Sequence, residues 1–341
     1  MSYSSEYTYT PAWWIPGAHL QTLWGKLVRR PPNVVTRVER WPTPDGDELE
    51  IRRLDAPTGS GPAVPRLLVL HGLEGTIRSH YLRGLLDQAR RRGWAADVLI
   101  FRGCNDEIPR AARFYHSGET GDLDFVVRRL VKEHPSQPLV AAGFSLGGNV
   151  LLKWLGEQGD GLPPQVKAAA AVSVPYDLER GSRHIERGFS RLYTRHFLAT
   201  LRRKALAKLA HHPGLFDKGR LNAARTLYDF DEAVTAPVHG FEGASDYYSR
   251  SSSRHFLAGI RHPTLLLSAF DDPFLPREVL VDVANVARFN QNLTVEFHGH
   301  GGHVGFVAGP LPWKAIYYAE ERVAGFLSSV MREDRAISSV A

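Results

Sequence analysis

The sequence predicts an α/β protein built on a mostly parallel, doubly wound sheet. From residue 66 onward, unbroken apolar segments alternate with amphipathic ones, which is typical of buried parallel strands joined by helices. Two shorter segments with alternating apolar residues precede this pattern and predict an N-terminal antiparallel hairpin. The alternation stops for about 85 residues between Pro175 and Arg261, and this interval predicts an insertion.

The individual elements follow from local patterns. An Asp45-Gly46 turn indicates where the hairpin reverses. Continuously apolar segments predict buried strands, and apolar residues that recur every three or four positions predict helices. The predicted hairpin strands are 34–41 and 49–54. The predicted buried strands are 66–72, 94–101, 139–142, 167–174, 263–270 and 293–297. The predicted helices are 79–93, 121–134, the segment after Ser145, 277–288 and about 312–333.

These patterns divide the chain into three parts. Residues 1–33 contain four prolines and are expected to form an irregular strap that packs over the core. Residues 34–175 and 261–341 make the predicted α/β core. Residues 176–260 make a predicted helical cap inserted into it. A chain of 341 residues is long for one domain and short for two, which fits a core with an insertion.

Composition narrows the classes of function. The chain is 43% hydrophobic and 23% charged, as ordinary globular proteins are. The single cysteine, Cys104, excludes an intrachain disulfide, and no apolar run approaches the roughly 18 residues of a membrane span. The N-terminus does not read as a signal peptide, so we expect a cytoplasmic protein. No glycine fingerprint for a nucleotide and no basic patch for nucleic acid is found, and we expect no cofactor and no metal.

One segment predicts a reactive serine. Residues 139–142 form an apolar strand that stops at Gly143-Phe144-Ser145-Leu146-Gly147, and an amphipathic helix follows. A serine at such a strand-to-helix turn, with small residues two positions away on each side, is a nucleophile elbow. The pattern also occurs by chance in a chain with 31 glycines, so a glycine-rich turn without chemistry is the alternative.

Polar residues that follow the other predicted strands support the elbow. Because the carboxyl ends of parallel strands meet at one edge of a sheet, residues after these strands are expected to lie together. Asp271 and Asp272 follow the strand 263–270, and His303 lies in the loop after the strand 293–297. The order serine, aspartate, histidine is that of α/β-hydrolases, in which histidine activates serine and aspartate orients histidine.

With these residues in place, the chain resembles the YheT-like, or abhydrolase-4, branch of the α/β-hydrolases. The resemblance covers most of the chain. The segments that carry it are HLQTLWG (19–25), HGLEG (71–75), FRGC (101–104), YHSGET (115–120), GFSLGGN (143–149), FEGASDYYSRSS (241–252), SAFDDPF (268–274) and GGHVGF (301–306).

The resemblance implies Ser145 as the nucleophile, Asp272 as the acid and His303 as the base. It also implies hydrolysis of short- to medium-chain esters, acylglycerols or phospholipids, or acyl transfer to alcohols. Several eukaryotic members carry an N-terminal membrane anchor that we do not find in this sequence.

Each candidate has an alternative. Asp271 competes with Asp272, although the aspartate before Pro273 matches the family pattern. His298, His300 and His303 could be a metal cluster, but zinc would require cysteine or carboxylate partners. Cys104 is a rival nucleophile, and a cysteine after a buried strand is more often packing.

The amides of Leu73 and Leu146 are expected to form an oxyanion hole, since one follows the first His-Gly and the other follows the serine. The alternative for Leu73 is a plain turn.

The resulting prediction is a serine carboxylic-ester hydrolase that works through an acyl-enzyme on short- to medium-chain or lipid-like esters. An ester-forming acyltransferase and a non-catalytic binding protein with the same fold are the alternatives. A cofactor-free haloperoxidase would share the same three residues. The oligomeric state is not predicted.

The insertion contains a basic segment, 183–212, with eight arginines or lysines and one glutamate. Its apolar residues recur at helical spacing and predict an amphipathic helix or helix pair. These residues are Ile185, Phe189, Leu192, Phe197, Leu201, Leu206 and Leu209. Either the basic face is merely solvated, or it contacts an anionic membrane or acidic lipid.

Overall fold

The computed structural model describes residues 8–61, 63–105 and 107–338, with side chains as far as Asp334. Its centre is an eight-stranded sheet whose spatial order is β1-β2-β4-β3-β5-β6-β7-β8. The strands are β1 (Arg37–Pro42), β2 (Glu48–Leu54), β3 (Arg66–Leu70), β4 (Ala95–Ile100), β5 (Leu139–Phe144), β6 (Val166–Val172), β7 (Thr264–Ala269) and β8 (Leu293–His298).

The pairing confirms the predicted hairpin and the predicted parallel sheet. β1 pairs with β2, and β2 with β4, in the antiparallel sense. The six strands from β4 to β8 in the spatial order pair in the parallel sense. Every residue of β3, β4, β5 and β7 is buried, which explains their predominantly apolar sequences, and the buried Arg66 and Asp97 form an ion pair.

Helices cover the sheet. α2 (His80–Arg91) packs against α12 (Tyr318–Ser338), while α3 (Gly121–Glu133) packs against α4 (Leu146–Gln158). α11 (Arg277–Ala287) packs on β8. One contiguous hydrophobic core joins these helices to the strands. α12 begins later than the predicted position near residue 312, because 312–314 form a 3₁₀ turn and a short strand, β10 (Ile316–Tyr317), precedes the helix. β10 pairs with β9 (Val307–Ala308).

The expectation of an irregular N-terminal strap was wrong for residues 18–27, and its first seven residues lie outside the described residues. It contains the helix α1 (Ala18–Leu27), which fits between the prolines because Pro16 precedes it and Pro31 follows it. The side chain of Gln21 is buried and bonds both backbone groups of Val307, with distances of 3.1 Å and 2.8 Å. These bonds attach α1 to the chain just beyond the predicted histidine loop.

The interval between β6 and β7 is helical. The structure has six helices in it, α5 (Leu178–His184), α6 (Arg191–His211), α7 (Lys218–Ala223), α8 (Leu227–Phe230), α9 (Ala236–His239) and α10 (Ala244–Ser251). A π-helical turn, Asp231–Thr235, joins α8 to α9. Two small hydrophobic clusters belong mainly to this interval. The division into strap, core and cap stays a prediction.

No described helix has both the length and the apolar character needed to cross a membrane.

Candidate active site

Ser145 lies at a sharp turn between β5 and α4. Its backbone adopts φ 50° and ψ −121°, a conformation that residues other than glycine rarely take. Its amide donates to the carbonyl of Val172 at 2.8 Å, which ties the turn to the neighbouring strand β6. Such local backbone strain persists only where the surrounding structure enforces it.

The glycines on either side of Ser145 are required by close backbone contacts. A Cβ atom on Gly143 would lie 2.5 Å from the carbonyl oxygen of Gly147. A Cβ atom on Gly147 would lie 2.4 Å from the carbonyl oxygen of His71. Any larger residue would therefore push the helix away from the strands. The spacing in the sequence thus reflects a steric requirement.

The structure brings Ser145, His303 and Asp272 together in one hydrogen-bonded series. His303 Nε2 lies 2.9 Å from Ser145 Oγ, and His303 Nδ1 lies 2.9 Å from Asp272 Oδ2. A carboxylate can only accept hydrogen bonds, so Nδ1 carries the proton and Nε2 is free to accept from the serine hydroxyl. The arrangement is therefore suited to removing a proton from Ser145.

Asp272 and Asp271 have different partners. Asp272 is 4% exposed, and its Oδ1 also accepts from the amide of Phe274 at 2.8 Å. Asp271 Oδ1 accepts from the amide of Gly302 at 2.9 Å, and its Oδ2 lies 3.2 Å from Nδ1 of the exposed His300. Of the two aspartates, only Asp272 contacts His303, while Asp271 supports the loop that carries it.

The loop of His303 is held by two hydroxyl groups that the sequence did not reveal. Thr22 Oγ1, on α1, accepts from the amide of His303 at 2.9 Å. Ser173 Oγ, just after β6, accepts from the amide of Val304 at 2.9 Å. The ring of Phe274 stacks on the imidazole with centroids 4.0 Å apart. The only sequence signal for Thr22 is its place in the segment 19–25.

The two predicted oxyanion amides lie beside the serine. Leu73 and Leu146 line the same cavity as Ser145 and His303. No described residue accepts a hydrogen bond from either amide. The next residue, Glu74, has φ 55°, and its amide donates to the hydroxyl of Tyr115 at 2.9 Å. Its carboxylate pairs with Lys204 of α6 at 2.8 Å, so the cap and the loop after β3 are connected.

The cavity at Ser145 has a volume of about 560 Å³. It runs between the core and the helices of the insertion, and its lining is mainly apolar. Apolar residues from the insertion include Leu178, Ile185, Phe197, Leu201, Leu227 and Phe230. The polar side chains of Asp231, Thr235, Tyr247 and Tyr248 also line it. The lining thus combines a mainly apolar surface with several polar side chains.

Two alternatives from the sequence receive no support from the geometry. His298 contacts Glu296, His300 contacts Asp271 and His303 contacts Asp272, so the three histidines face different carboxylates. Among the described residues no group of histidine, cysteine and acidic side chains is arranged as a metal site. Burial raises the pKa of Cys104 to about 12, which disfavours the nucleophilic thiolate.

The basic segment of the insertion is only partly an exposed face. Its predicted apolar stripe was wrong at Phe189 and Leu192, which are 49% and 48% exposed. The residues of α6 that are buried are Thr194, Leu198, Ala205 and Lys208. Lys208 donates to the carbonyls of Pro109 and Ala111, and burial lowers its pKa to about 8. The rest of the stripe packs inward at Ile185, Leu201, Leu206 and Leu209, while Lys208 serves an internal contact and does not lie on the basic face.

Comparison with known proteins places this architecture among its relatives. A family model described as alpha/beta hydrolase fold matches residues 65–310. YheT of Escherichia coli (strain K12), named as a candidate esterase, is 38% identical over 96% of this chain and 95% of its own. Phospholipase ABHD3 of Mus musculus is 30% identical over 91% of this chain and 76% of its own.

Two further proteins extend the comparison. Monoacylglycerol lipase of Saccharomyces cerevisiae is 31% identical over 74% of this chain and 57% of its own. The structure of the Pyrococcus furiosus esterase Pf2001 superposes with a TM-score of 0.55 at 16% identity, over 89% of this chain and all of that one, and shows the shared fold. The family model and the identity to YheT together establish that this chain belongs to the α/β-hydrolases, in the YheT-like family.

Proposed function

We propose that the protein hydrolyses carboxylic esters, including lipid-like esters, through Ser145, His303 and Asp272. The observation that carries this proposal is the hydrogen-bonded series of the three side chains at the wall of a largely apolar cavity. The names of its relatives, which include a phospholipase and a monoacylglycerol lipase, agree with an ester substrate.

In the first half of the reaction, Ser145 Oγ attacks the carbonyl carbon of the ester while His303 Nε2 takes the hydroxyl proton. Asp272 stabilises the imidazolium that forms and keeps the ring in its orientation. The tetrahedral intermediate collapses when His303 returns the proton to the alkoxy oxygen. The alcohol leaves, and the acyl group remains on Ser145 as an ester.

In the second half, a water molecule attacks the acyl-enzyme, and His303 again serves first as base and then as acid. The carboxylic acid leaves and Ser145 is restored. An alcohol in place of water would produce a new ester, so hydrolysis and acyl transfer share every step except the identity of the second nucleophile.

The negative oxygen of each tetrahedral intermediate is stabilised by the amides of Leu73 and Leu146. This assignment is supported by their position at the cavity and by their lack of a described acceptor. Leu146 is the first residue of α4, where the helix dipole also favours negative charge. Preorganised donors of this kind commonly contribute roughly 10²- to 10³-fold to the rate.

A labelling experiment with a substrate series tests the proposal. A fluorophosphonate probe should modify the folded protein once, at Ser145, and the Ser145→Ala variant is the control. Hydrolysis of p-nitrophenyl esters with acyl chains from two to sixteen carbons then measures the preferred chain length. An adduct on another residue, or none on folded protein, would contradict the proposal and favour a binding protein.

We also propose that this enzyme contacts anionic membranes through the mouth of the cavity, here called the rim surface. On α1, Leu20 and Leu27 are 51% and 71% exposed, and on the insertion Phe189 and Leu192 are also about half exposed. The ring of His19 on α1 lies 4.6 Å from that of Phe189, so the two parts form one surface. Arg187, Arg191 and Arg195 are exposed beside it and form no ion pair with a described residue. Exposed apolar and basic residues together are typical of peripheral membrane binding.

Flotation with vesicles of neutral or anionic lipid, at low and high salt, tests this contact. Wild type should float with anionic vesicles at low salt, and glutamine at Arg187, Arg191 and Arg195 should reduce the floated fraction by roughly tenfold. Glutamine at Arg128, Arg288 and Arg332, on other elements, is the matched control. Equal flotation of the two triple variants would show that the rim surface is merely solvated.

A further inference from the structure

One buried acid in the cavity has no part in the steps above. Asp231 begins the π-helical turn between α8 and α9, and it lines the same cavity as Ser145. A π-helical turn is rare and is frequently found at functional sites. Asp231 therefore belongs to the part of the cavity lining that the insertion supplies.

The carboxylate of Asp231 has two neutral partners. Its Oδ1 accepts from the hydroxyl of Thr235 at 2.6 Å, and its Oδ2 accepts from the hydroxyl of Tyr248 at 2.7 Å. No lysine, arginine or histidine of the described residues forms an ion pair with it. Burial raises its pKa from 3.8 to about 6, although both hydrogen bonds oppose this shift. It is therefore a buried acid without a counter-ion.

Asp231 also has unused capacity to accept hydrogen bonds. Each carboxylate oxygen can accept about two, and Thr235 and Tyr248 supply one to each. Asp231 is partly exposed, as expected for a residue that lines an internal cavity. Leaving such an acceptor without a partner in a low-dielectric cavity is costly once substrate has expelled the water.

We propose that Asp231 binds a free hydroxyl group in the alcohol half of the substrate. This inference rests on the proposed ester hydrolysis and extends it to the alcohol that the enzyme selects. The preferred substrate would then be an ester of a polyhydroxy alcohol, with its acyl chain along the apolar wall and a hydroxyl donating to Asp231.

The surroundings favour a hydroxyl over a quaternary ammonium group. Tyr247 lies beside Tyr248 on α10, and its hydroxyl accepts from the amide of Ser117 at 2.9 Å, so it is already engaged. His116 is buried and its pKa is lowered, which leaves the imidazole neutral. The two side chains that bond Asp231, Thr235 and Tyr248, are thus neutral hydrogen-bonding groups. A quaternary ammonium ion offers no N–H or O–H to the unused lone pairs of the carboxylate.

A matched pair of esters tests the proposal. 1-Octanoylglycerol and propyl octanoate have the same carbon skeleton and differ only by the two hydroxyl groups of the alcohol. Wild type should have the higher kcat/KM on the glycerol ester. In Asp231→Asn the ratio of the two kcat/KM values should fall by roughly 10- to 100-fold, as expected for the loss of a hydrogen bond to a charged group. Glu232→Gln, which removes the neighbouring acid outside the cavity, should leave the ratio unchanged.

A third ester separates a hydroxyl from a cation. Octanoylcholine carries a positive charge and no hydroxyl, so Asp231→Asn should affect it less than the glycerol ester. Equal losses of kcat/KM on octanoylcholine and on the glycerol ester would overturn the proposal, because Asp231 would then recognise charge. An unchanged glycerol-to-propyl ratio of kcat/KM in a variant that unfolds at or above the wild-type temperature would also overturn it. If wild type hydrolysed none of the three esters, the proposed function itself would fail, and this inference with it.

Discussion

The core side and the insertion side of the cavity position their polar groups in different ways. On the core side, Ser145 and His303 lie in short loops at strand ends, and sheet neighbours fix the backbone on each side. On the insertion side, Asp231 and Tyr248 come from separate helical segments that are joined through side-chain hydrogen bonds. Backbone geometry therefore positions the polar groups on the core side, whereas side-chain hydrogen bonds position those on the insertion side.

This difference suggests a division of roles. Catalytic atoms must be held within a fraction of an ångström, which strained turns anchored to a sheet can do. Selection of a substrate requires only that polar groups in the cavity find hydrogen-bond partners on the substrate. Side chains on an insertion can be substituted without disturbing the sheet. We therefore expect substitutions on the core side to reduce the rate for every ester, and substitutions on the insertion side to change which ester is preferred.

The largest effects should come from the serine and the histidine. Ser145→Ala and His303→Ala should each lower kcat on a p-nitrophenyl ester by roughly 10³-fold or more, because each removes the nucleophile or its base. The double variant should be little worse than either single one. Losses that multiplied in the double variant would show that the two residues act independently.

The two neighbouring aspartates should differ sharply. Asp272→Asn should lower kcat by roughly 10³-fold, because an amide no longer stabilises the imidazolium or enforces its tautomer. Asp271→Asn should cost less than about tenfold, because it keeps an oxygen that can accept from the amide of Gly302. Steady-state kinetics of both variants measure the two losses of kcat. A larger loss in Asp271→Asn than in Asp272→Asn would assign the role of the acid to Asp271.

A smaller effect is expected at the contact between α1 and the histidine loop. Thr22→Val keeps the shape of the side chain but removes the hydroxyl that accepts from the amide of His303. The loop should become less well positioned, and kcat should fall by roughly three- to tenfold with little change in KM. Thr200→Val is the control, since that hydroxyl bonds only the carbonyl of Phe197 within α6. Equal losses in both variants would indicate a general loss of stability.

Much of the fold could be predicted because burial on both faces leaves a clear pattern. Strands such as β3 and β5 are apolar without interruption, and the Asp45-Gly46 turn identifies the hairpin. The strap was mispredicted because its prolines suggested irregular chain, although they flank α1 and do not interrupt it. The sequence placed Lys208 on the basic face of the segment 183–212, but a lysine can be buried when carbonyl oxygens receive its ammonium group.

The sequence allowed us to predict those residues of the candidate site that follow a predicted strand. Ser145, Asp272 and His303 each follow an apolar segment, and parallel strands bring such positions together. Thr22 and Asp231 could not be found in this way. Thr22 is far from His303 in sequence, and Asp231 lies in an insertion whose packing does not follow a repeating pattern. Contacts of this kind depend on tertiary structure.

The smallest effect concerns the stability of the insertion side. Burial raises the pKa of Asp231 from 3.8 to about 6, so the folded state binds this proton more tightly than the unfolded state does. Its carboxylate therefore lowers stability increasingly as the pH rises from about 4 to above 6. Among the ionisable residues that line the same cavity, burial raises the pKa values of Tyr247 and Tyr248 and lowers that of His116, so in each the neutral form is favoured.

Asp231→Asn removes this penalty, and its amide can still bond both Thr235 and Tyr248. The Tm of the variant relative to wild type should therefore be higher at pH 8 than at pH 5, by roughly 2 to 5 °C. Thermal melts followed by circular dichroism at the two pH values measure the difference. Glu232→Gln is the control, since Glu232 pairs with Arg220 at 3.3 Å and should show no such increase. If the Tm of Asp231→Asn relative to wild type were lower at pH 8 than at pH 5, the ionised carboxylate would stabilise the fold. Asp231 would then be a structural acid.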